Sequence, residues 1–185
     1  TCMLITPSAL SLFCLSPIAA WWSELDRRNL FKGNKPKADP LSEILKKEGI
    51  RHEEELLNKL DVEGKSIKRL IGKQNKADYM EKDKAILKGY DYIYQASFNN
   101  GHMRGSIDLL KRVELSSRIG EYSYIPIECK LSSKLHFKFL IQALCYCELL
   151  IDSLGYRPNT FEIYLGGGTF SSFNVDDYWH WYQFK

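Results

Sequence analysis

The chain has 185 residues, of which 44% are hydrophobic and 26% are charged, so it is long enough to bury a core and fits one globular domain. Its formal net charge is only +3, which excludes binding of nucleic acid through a general basic field. A nucleic-acid site on this chain must therefore be a local patch.

The cysteines and the apolar N-terminal stretch indicate the compartment. Five cysteines form an odd set without the spacing of a disulfide framework, which favours a reducing environment. The stretch from Ala9 to Trp22 has the composition of a signal peptide, but no lysine or arginine precedes it and Pro7 and Pro17 divide it. It is also too short to span a bilayer. We expect a cytoplasmic protein with no membrane segment.

The N-terminal part, about residues 6–63, is helical in pattern. Pro17 opens the second of two short helices. The polar stretch from Lys32 to Pro40 predicts a loop. Apolar spacing from Leu41 to Leu60 then predicts a third helix, interrupted near Gly49 because glycine disfavours a helix interior.

Residues 64–185 alternate between strand and helix patterns. A strand, a helix, three strands, a long helix, a strand and a final helix follow in this order: Ser66 to Ile71, Asn75 to Lys88, Asp91 to Phe98, Gly105 to Val113, Tyr122 to Lys130, Lys134 to Leu154, Phe161 to Leu165 and Asp176 onward. Asn99-Asn100-Gly101 predicts a hairpin turn. This order predicts an α/β fold with a central mixed β-sheet flanked by helices.

The chain ends suggest a larger parent. Thr1 and Cys2 precede Met3, and the sequence stops just after an aromatic run. We interpret residues 1–185 as a single domain taken from a longer protein.

Two of the predicted strands carry acidic side chains beside a lysine. Alternate residues of a strand share a face, so Glu128 and Lys130 point together, and Asp108 converges on Glu128 if the two strands are neighbours. Paired carboxylates suit a hard dication such as Mg²⁺ or Mn²⁺. A metal that polarises a phosphate, with an ammonium group that stabilises the developing charge, is the chemistry of phosphodiester hydrolysis.

Lys130 has two conceivable roles. Only about one free lysine in two thousand is neutral at pH 7, so action as a general base needs a large fall in its pKa. We favour electrostatic stabilisation by the charged form.

Two helices supply further candidates. Glu53 lies on the same helical stripe as Leu56, Leu57 and Leu60 and is expected to point inward, although His52 beside it could take that place. On the long helix, Gln142 and Tyr146 are four residues apart and share a face, from which they could hydrogen-bond a phosphate or the catalytic lysine.

These motifs form an ordered set. Gly105-x-x-Asp108, Glu128-Cys129-Lys130 and Gln142-x-x-x-Tyr146, with His52-Glu53 upstream, resemble the RecB-like branch of the PD-(D/E)xK nuclease superfamily. The resemblance runs from about Thr6 to the last residue. Glu-x-Lys alone is a weak signal, but four motifs in order on suitable elements are specific.

The resemblance implies a restriction-endonuclease-like core, one or two Mg²⁺ or Mn²⁺ ions and cleavage of DNA in repair, recombination or processing. Asp108, Glu128 and the backbone carbonyl of Cys129 would be metal ligands, and Glu53 would be a further metal ligand or would organise a water. Gln142 and Tyr146 would contact substrate and site. Relatives of this type are often joined to helicase or ribonuclease-like regions. The iron-sulfur cluster of some RecB-like nucleases is not expected here, because no cysteine group follows the Gln/Tyr helix.

Cations flank the motifs and are expected to contact phosphates of the substrate: Arg104, Arg112, Lys134 and Lys138. The run Gly166-Gly167-Gly168 lacks a following Gly-Lys-Ser/Thr, which favours a turn over a phosphate loop. The alternative to a nuclease is a nucleic-acid-binding or assembly module that kept the fold and lost turnover. The sequence leaves open DNA or RNA, single or double strands, and cutting from an end or internally.

Overall fold

A computed structural model describes residues 4–28, 30 and 39–183 of the chain. In these residues the helices are α1 (Pro7–Leu15), α2 (Pro17–Arg27), α3 (Pro40–Val62), α4 (Lys76–Lys88), α5 (Phe137–Leu154) and α6 (Asp176–Gln183). The strands are β1 (Ile67–Arg69), β2 (Tyr92–Asn99), β3 (Arg104–Val113), β4 (Ser123–Cys129), β5 (Thr160–Tyr164) and β6 (Phe170–Asn174). The loop predicted from Lys32 to Pro40 lies mostly outside the described residues.

The six strands form one sheet in the order β1-β2-β3-β4-β5-β6. The β1–β2 and β4–β5 pairs are parallel and the other pairs are antiparallel, so the sheet is mixed. The predicted α/β arrangement is confirmed. Strand β6 was not predicted, because three of its five residues are serine or asparagine and the segment has no alternating apolar pattern.

The helix starts follow from local capping. Thr6 and Ser16 accept hydrogen bonds from backbone N–H groups at the starts of α1 and α2, and a proline opens each helix. The break predicted near Gly49 is wrong, since α3 runs through it without interruption. One glycine costs a helix about 1 kcal/mol, which is too little to end a helix whose apolar stripe packs on the sheet. Among the described helices, none has the length and apolar composition needed to cross a membrane.

Each face of the sheet is covered by helices and has its own core. The larger cluster joins residues of α4, α5 and α6 to one face, with Leu10 and Cys14 of α1 packed against it. The smaller cluster joins Leu56, Leu57 and Leu60 of α3 to the other face. Every residue of β4 is buried. Both faces of this strand are therefore covered.

The regular alternation of β3 is broken at Asp108. Ile107 and Leu110 both pack in the larger cluster, while Leu109 packs in the smaller one. The register that pairs Tyr94 with Leu109 places Gln95 opposite Asp108, and Gln95 has a positive φ of 56°. A side chain in this left-handed region is strained. The change of face thus coincides with the candidate acidic residue.

Candidate active site

Strands β3 and β4 bring the predicted acidic pair together. Their register pairs Leu109 with Ile127, which sets Asp108 opposite Glu128. The backbone N–H of Cys129 donates a hydrogen bond to Oδ2 of Asp108 at 2.9 Å. The ammonium of Lys130 forms an ion pair with Oε1 of Glu128. The three residues predicted from the Asp and Glu-x-Lys motifs therefore form one cluster.

Glu128 is the most deeply buried member of the cluster, with 0% of its surface exposed. Apart from the ion pair with Lys130, neither carboxylate oxygen accepts a hydrogen bond of regular geometry within the described residues. The hydroxyl of Tyr146 on α5 contacts Glu128 and is itself buried. Buried polar groups are normally satisfied by hydrogen bonds, so Glu128 is an exception within the described residues.

Glu53 approaches the same cluster from α3. Its Oε2 accepts a hydrogen bond of 2.6 Å from the hydroxyl of Tyr94 on β2, and the amide of Gln95 also interacts with it. His52 instead stacks on the ring of Tyr164, with centroids 4.7 Å apart, and packs inside. Of the two alternatives left open by the sequence, the structure brings Glu53 toward the acidic pair.

The carboxyl groups of the cluster perturb one another. Burial, and then the charge of Glu128, raises the pKa of Asp108 well above its ordinary value. Burial also raises the pKa of Glu53, against the hydrogen bonds from Tyr94 and Gln95. Burial lowers the pKa of Lys130, but the charges of Glu128 and Asp108 outweigh it and the net shift is upward. The charges of Glu128 and Glu53 thus both disfavour the ionised form of Asp108.

The donors of the cluster fit a hard cation. Within the described part of the chain, no three side chains of histidine, cysteine, aspartate or glutamate form a ready-made metal group, so the fit rests on two carboxylates and the backbone. The N–H and C=O of one strand residue point to the same neighbouring strand. Because the N–H of Cys129 meets Asp108, the Cys129 carbonyl faces that side too. Carboxylate and carbonyl oxygens are the ligands that Mg²⁺ and Mn²⁺ prefer.

The remaining predicted residues divide between the site and other places. Tyr146 is part of the cluster, whereas the amide of Gln142 lies 3.4 Å from the hydroxyl of Ser8 on α1. Lys138 lies over the ring of Phe139, which also lies beneath Lys130. Lys138 is therefore near Lys130, while Gln142 contacts the N-terminal helix α1.

Of the three other predicted cations, Arg104 begins β3, and Arg112 and Lys134 occupy different surroundings. Arg112 donates to the carbonyl oxygen of Gly89 at 3.0 Å and lies over the ring of Tyr122. It is four strand residues from Asp108, a span of about 13 Å, so the structure does not bring it to the cluster. Lys134 is exposed in the connection between β4 and α5.

Sequence reasoning missed Tyr94 and Gln95. Both lie on β2 opposite the Asp108 region. The predicted turn at Asn99-Asn100-Gly101 does not give this register, because the hairpin closes on the pair Asn99 and Arg104. The strain at Gln95, with its φ of 56°, has no sequence signal because glutamine is not a residue that marks left-handed backbone.

Comparison with protein-family models and with curated proteins finds no match to this chain. The resemblance to RecB-like nucleases therefore depends on the motifs described above and on the cluster they form.

The raised pKa of Asp108 predicts a pH-dependent stability. A carboxyl group whose pKa is higher in the folded state binds protons more tightly there, so its charge destabilises the folded protein as the pH rises through the folded pKa. Without metal, the melting temperature of Asp108→Asn is expected to exceed that of the wild type at neutral pH, and the gap should close as the pH falls toward about 4, the unfolded pKa. Thermal melts in EDTA across this range measure the gap. A gap that stays constant with pH would contradict the assignment of the shift to Asp108.

Proposed function

We propose that the chain is a Mg²⁺- or Mn²⁺-dependent nuclease with a restriction-endonuclease-like core of the RecB-like type, acting on DNA. The observation that carries the proposal is the buried Glu128, whose oxygens lack regular hydrogen bonds while Asp108 and Lys130 lie beside it. A purely structural salt bridge has no need of a second carboxyl group with a raised pKa at the same point.

The positions of the motif residues in the fold support the same function. Asp108, Glu128 and Lys130 come from two neighbouring strands, Glu53 from α3 on one face and Tyr146 from α5 on the other. Ionisable residues from four separate elements, distant in sequence, therefore lie close enough to shift one another's pKa values. Such convergence of ionisable groups is typical of an active site.

The residues have distinct tasks in the proposed reaction. Asp108, Glu128 and the Cys129 carbonyl would hold the metal ion, which supplies Lewis acidity and an activated water when bound. The ammonium of Lys130, kept charged by its acidic neighbours, stabilises negative charge that builds on the phosphoryl oxygens. Glu53, fixed by Tyr94, is placed to orient a water on the α3 side.

Tyr146 has a task that follows from its protonation. Burial, and then the charges of Asp108 and Glu128, raises its pKa well above the ordinary value. The phenol therefore stays protonated and acts as a hydrogen-bond donor. It would position Glu128 or a substrate oxygen, and it would not act as a base.

A cleavage assay tests the proposal. Single-stranded, duplex and circular DNA, with an RNA of the same sequence, are incubated with Mg²⁺, Mn²⁺ or EDTA. We expect cleavage of at least one DNA substrate with metal and none with EDTA. Circular DNA that survives while linear DNA is degraded would indicate cutting from an end. Absence of cleavage under all metal conditions would favour the alternative, a binding module without turnover.

A further inference from the structure

Beside the acidic cluster lies a pocket, and most of its lining residues have no task in the proposed reaction. It has a volume of about 390 Å³ and is open to solvent. Its lining includes two cations and several hydroxyl groups: Ser8, Lys73, Arg104, Ser106 and Tyr146. Tyr146 also contacts Glu128, so this pocket directly adjoins the cluster.

The pocket has excess positive charge. Neither Lys73 nor Arg104 forms an ion pair with an acidic side chain anywhere in residues 4–28, 30 and 39–183. No carboxyl group is among the lining residues. Two cations and nearby hydroxyl donors, without a built-in anion, form a surface that attracts phosphate oxygens.

The loop that carries Lys73 is anchored to β3 on both sides of that lysine. The hydroxyl of Ser106 donates to the carbonyl oxygen of Gly72 at 3.2 Å and accepts from the amide of Gln74 at 2.6 Å. Gln74 has a positive φ of 58°, a conformation that is strained for a residue other than glycine. The structure thus holds Lys73 at the pocket by contacts that overcome local strain.

The opposite wall is held equally closely. The ring of Pro7 lies so near Gly105 that a Cβ at position 105 would meet it at 2.9 Å. This approach sets the first turn of α1, with Ser8, against the strand that bears Arg104 and Asp108. The glycine of the Gly105-x-x-Asp108 motif therefore has a packing role in shaping the pocket, in addition to its place in the resemblance.

We propose that this pocket binds a backbone phosphate of the substrate strand, next to the phosphodiester that is cut, through Lys73 and Arg104. The inference rests on the proposed nuclease function, since it takes the neighbouring phosphate to lie at the acidic cluster. The volume is sufficient for a nucleotide-sized group. The pocket recognises phosphate and sugar, and carries no base-specific readout, so binding should be independent of sequence.

The test is a binding titration that needs no catalysis. A fluorescein-labelled single-stranded DNA is titrated in EDTA with the wild type and with Lys73→Gln/Arg104→Gln. The matched control is Lys59→Gln/Lys84→Gln, which removes the same charge from exposed positions of α3 and α4. We expect the first double variant to bind about 10-fold more weakly than the control, with a salt dependence smaller by about one phosphate contact. Lys73→Gln alone should give a smaller effect in the same direction.

Each outcome separates the pocket from the nuclease. Equal affinity and salt dependence for the two double variants would overturn the pocket, even if the wild type cleaves DNA. Weaker binding by Lys73→Gln/Arg104→Gln supports the pocket even if no substrate is cleaved, in which case only the nuclease proposal fails. If both hold, KM should rise while kcat at saturation stays near the wild-type value. Circular dichroism that shows a folded double variant validates the comparison.

Discussion

Asp108→Asn is expected to abolish metal-dependent cleavage and, at the same time, to raise the melting temperature of the metal-free protein at neutral pH. The carboxyl group is lost as a metal ligand, so the rate should fall by more than about 100-fold. The amide oxygen still accepts the hydrogen bond from the Cys129 N–H, and a charge that burial and Glu128 disfavour is removed. The gain in stability should be on the order of 1 kcal/mol, about 2–4 °C.

The two opposite changes make this variant informative. Replacing a residue that serves only the fold lowers the stability of the protein. Replacing a residue that serves the chemistry at a cost to stability does not lower it. Asp91→Asn is the matched control, because Asp91 accepts 2.8 Å hydrogen bonds from the N–H and hydroxyl of Ser66 and its pKa is lowered. That variant should melt at a lower temperature and keep its cleavage. Unchanged cleavage by Asp108→Asn would end the active-site assignment.

Lys130→Ala differs from Asp108→Asn in its effect on folding. It should also abolish cleavage, because the stabilising ammonium is lost. It leaves the fully buried Glu128 without its ion pair, so the free energy of unfolding should fall by on the order of 1–3 kcal/mol. Assays well below the melting temperature of this variant separate the two effects.

Gly166→Ala is expected to produce the largest loss of stability of any conservative change near the site. A Cβ at this position would lie 1.8 Å from the carbonyl oxygen of Leu131, the residue that follows Lys130. Because the atom it meets belongs to the backbone, the clash cannot be relieved by a side-chain rotation. Overpacking of this kind costs about 1–3 kcal/mol or more, and the end of β4 must move. We therefore expect a lower melting temperature together with lower cleavage.

Gly167→Ala is the matched control for this change. It adds the same methyl group one residue along, where nothing lies within 4 Å of the new Cβ. Thermal melts and cleavage rates of the two variants should differ clearly, with Gly167→Ala near the wild type. Equal melting temperatures and cleavage rates for the two variants would mean that the close approach of Gly166 to Leu131 does not position Lys130.

The helix and strand pattern was accessible from the sequence where local rules act alone. Proline and a hydroxyl cap start α1 and α2, and glycines in left-handed conformation end α4 and α5. The prediction failed where tertiary packing outweighs propensity. Gly49 does not break α3, because the leucines of that helix bury against the sheet, and β6 exists because it pairs with β5 and not because its own residues favour a strand.

The candidate site shows the same division. Order and spacing in the sequence were enough to single out Asp108, Glu128 and Lys130, since the motifs that contain them are local. That their two strands are neighbours was a condition, which the structure meets. The contributions of Tyr94, Gln95 and Lys73 were not accessible. They depend on which residues face each other across the sheet and on backbone strain at Gln74 and Gln95, and neither is written in the composition of the segments.

The sequence by itself determined the kinds of element, the mixed α/β class and the identity of the acidic pair with its lysine. Only the tertiary structure decided that both faces of β4 are covered, that the face of β3 changes at Asp108, and that a cationic pocket adjoins the cluster. The physical reason is that hydrophobic period and capping act over a few residues. Burial of a charge and the distance between two ionisable groups arise only when segments far apart in the chain pack together.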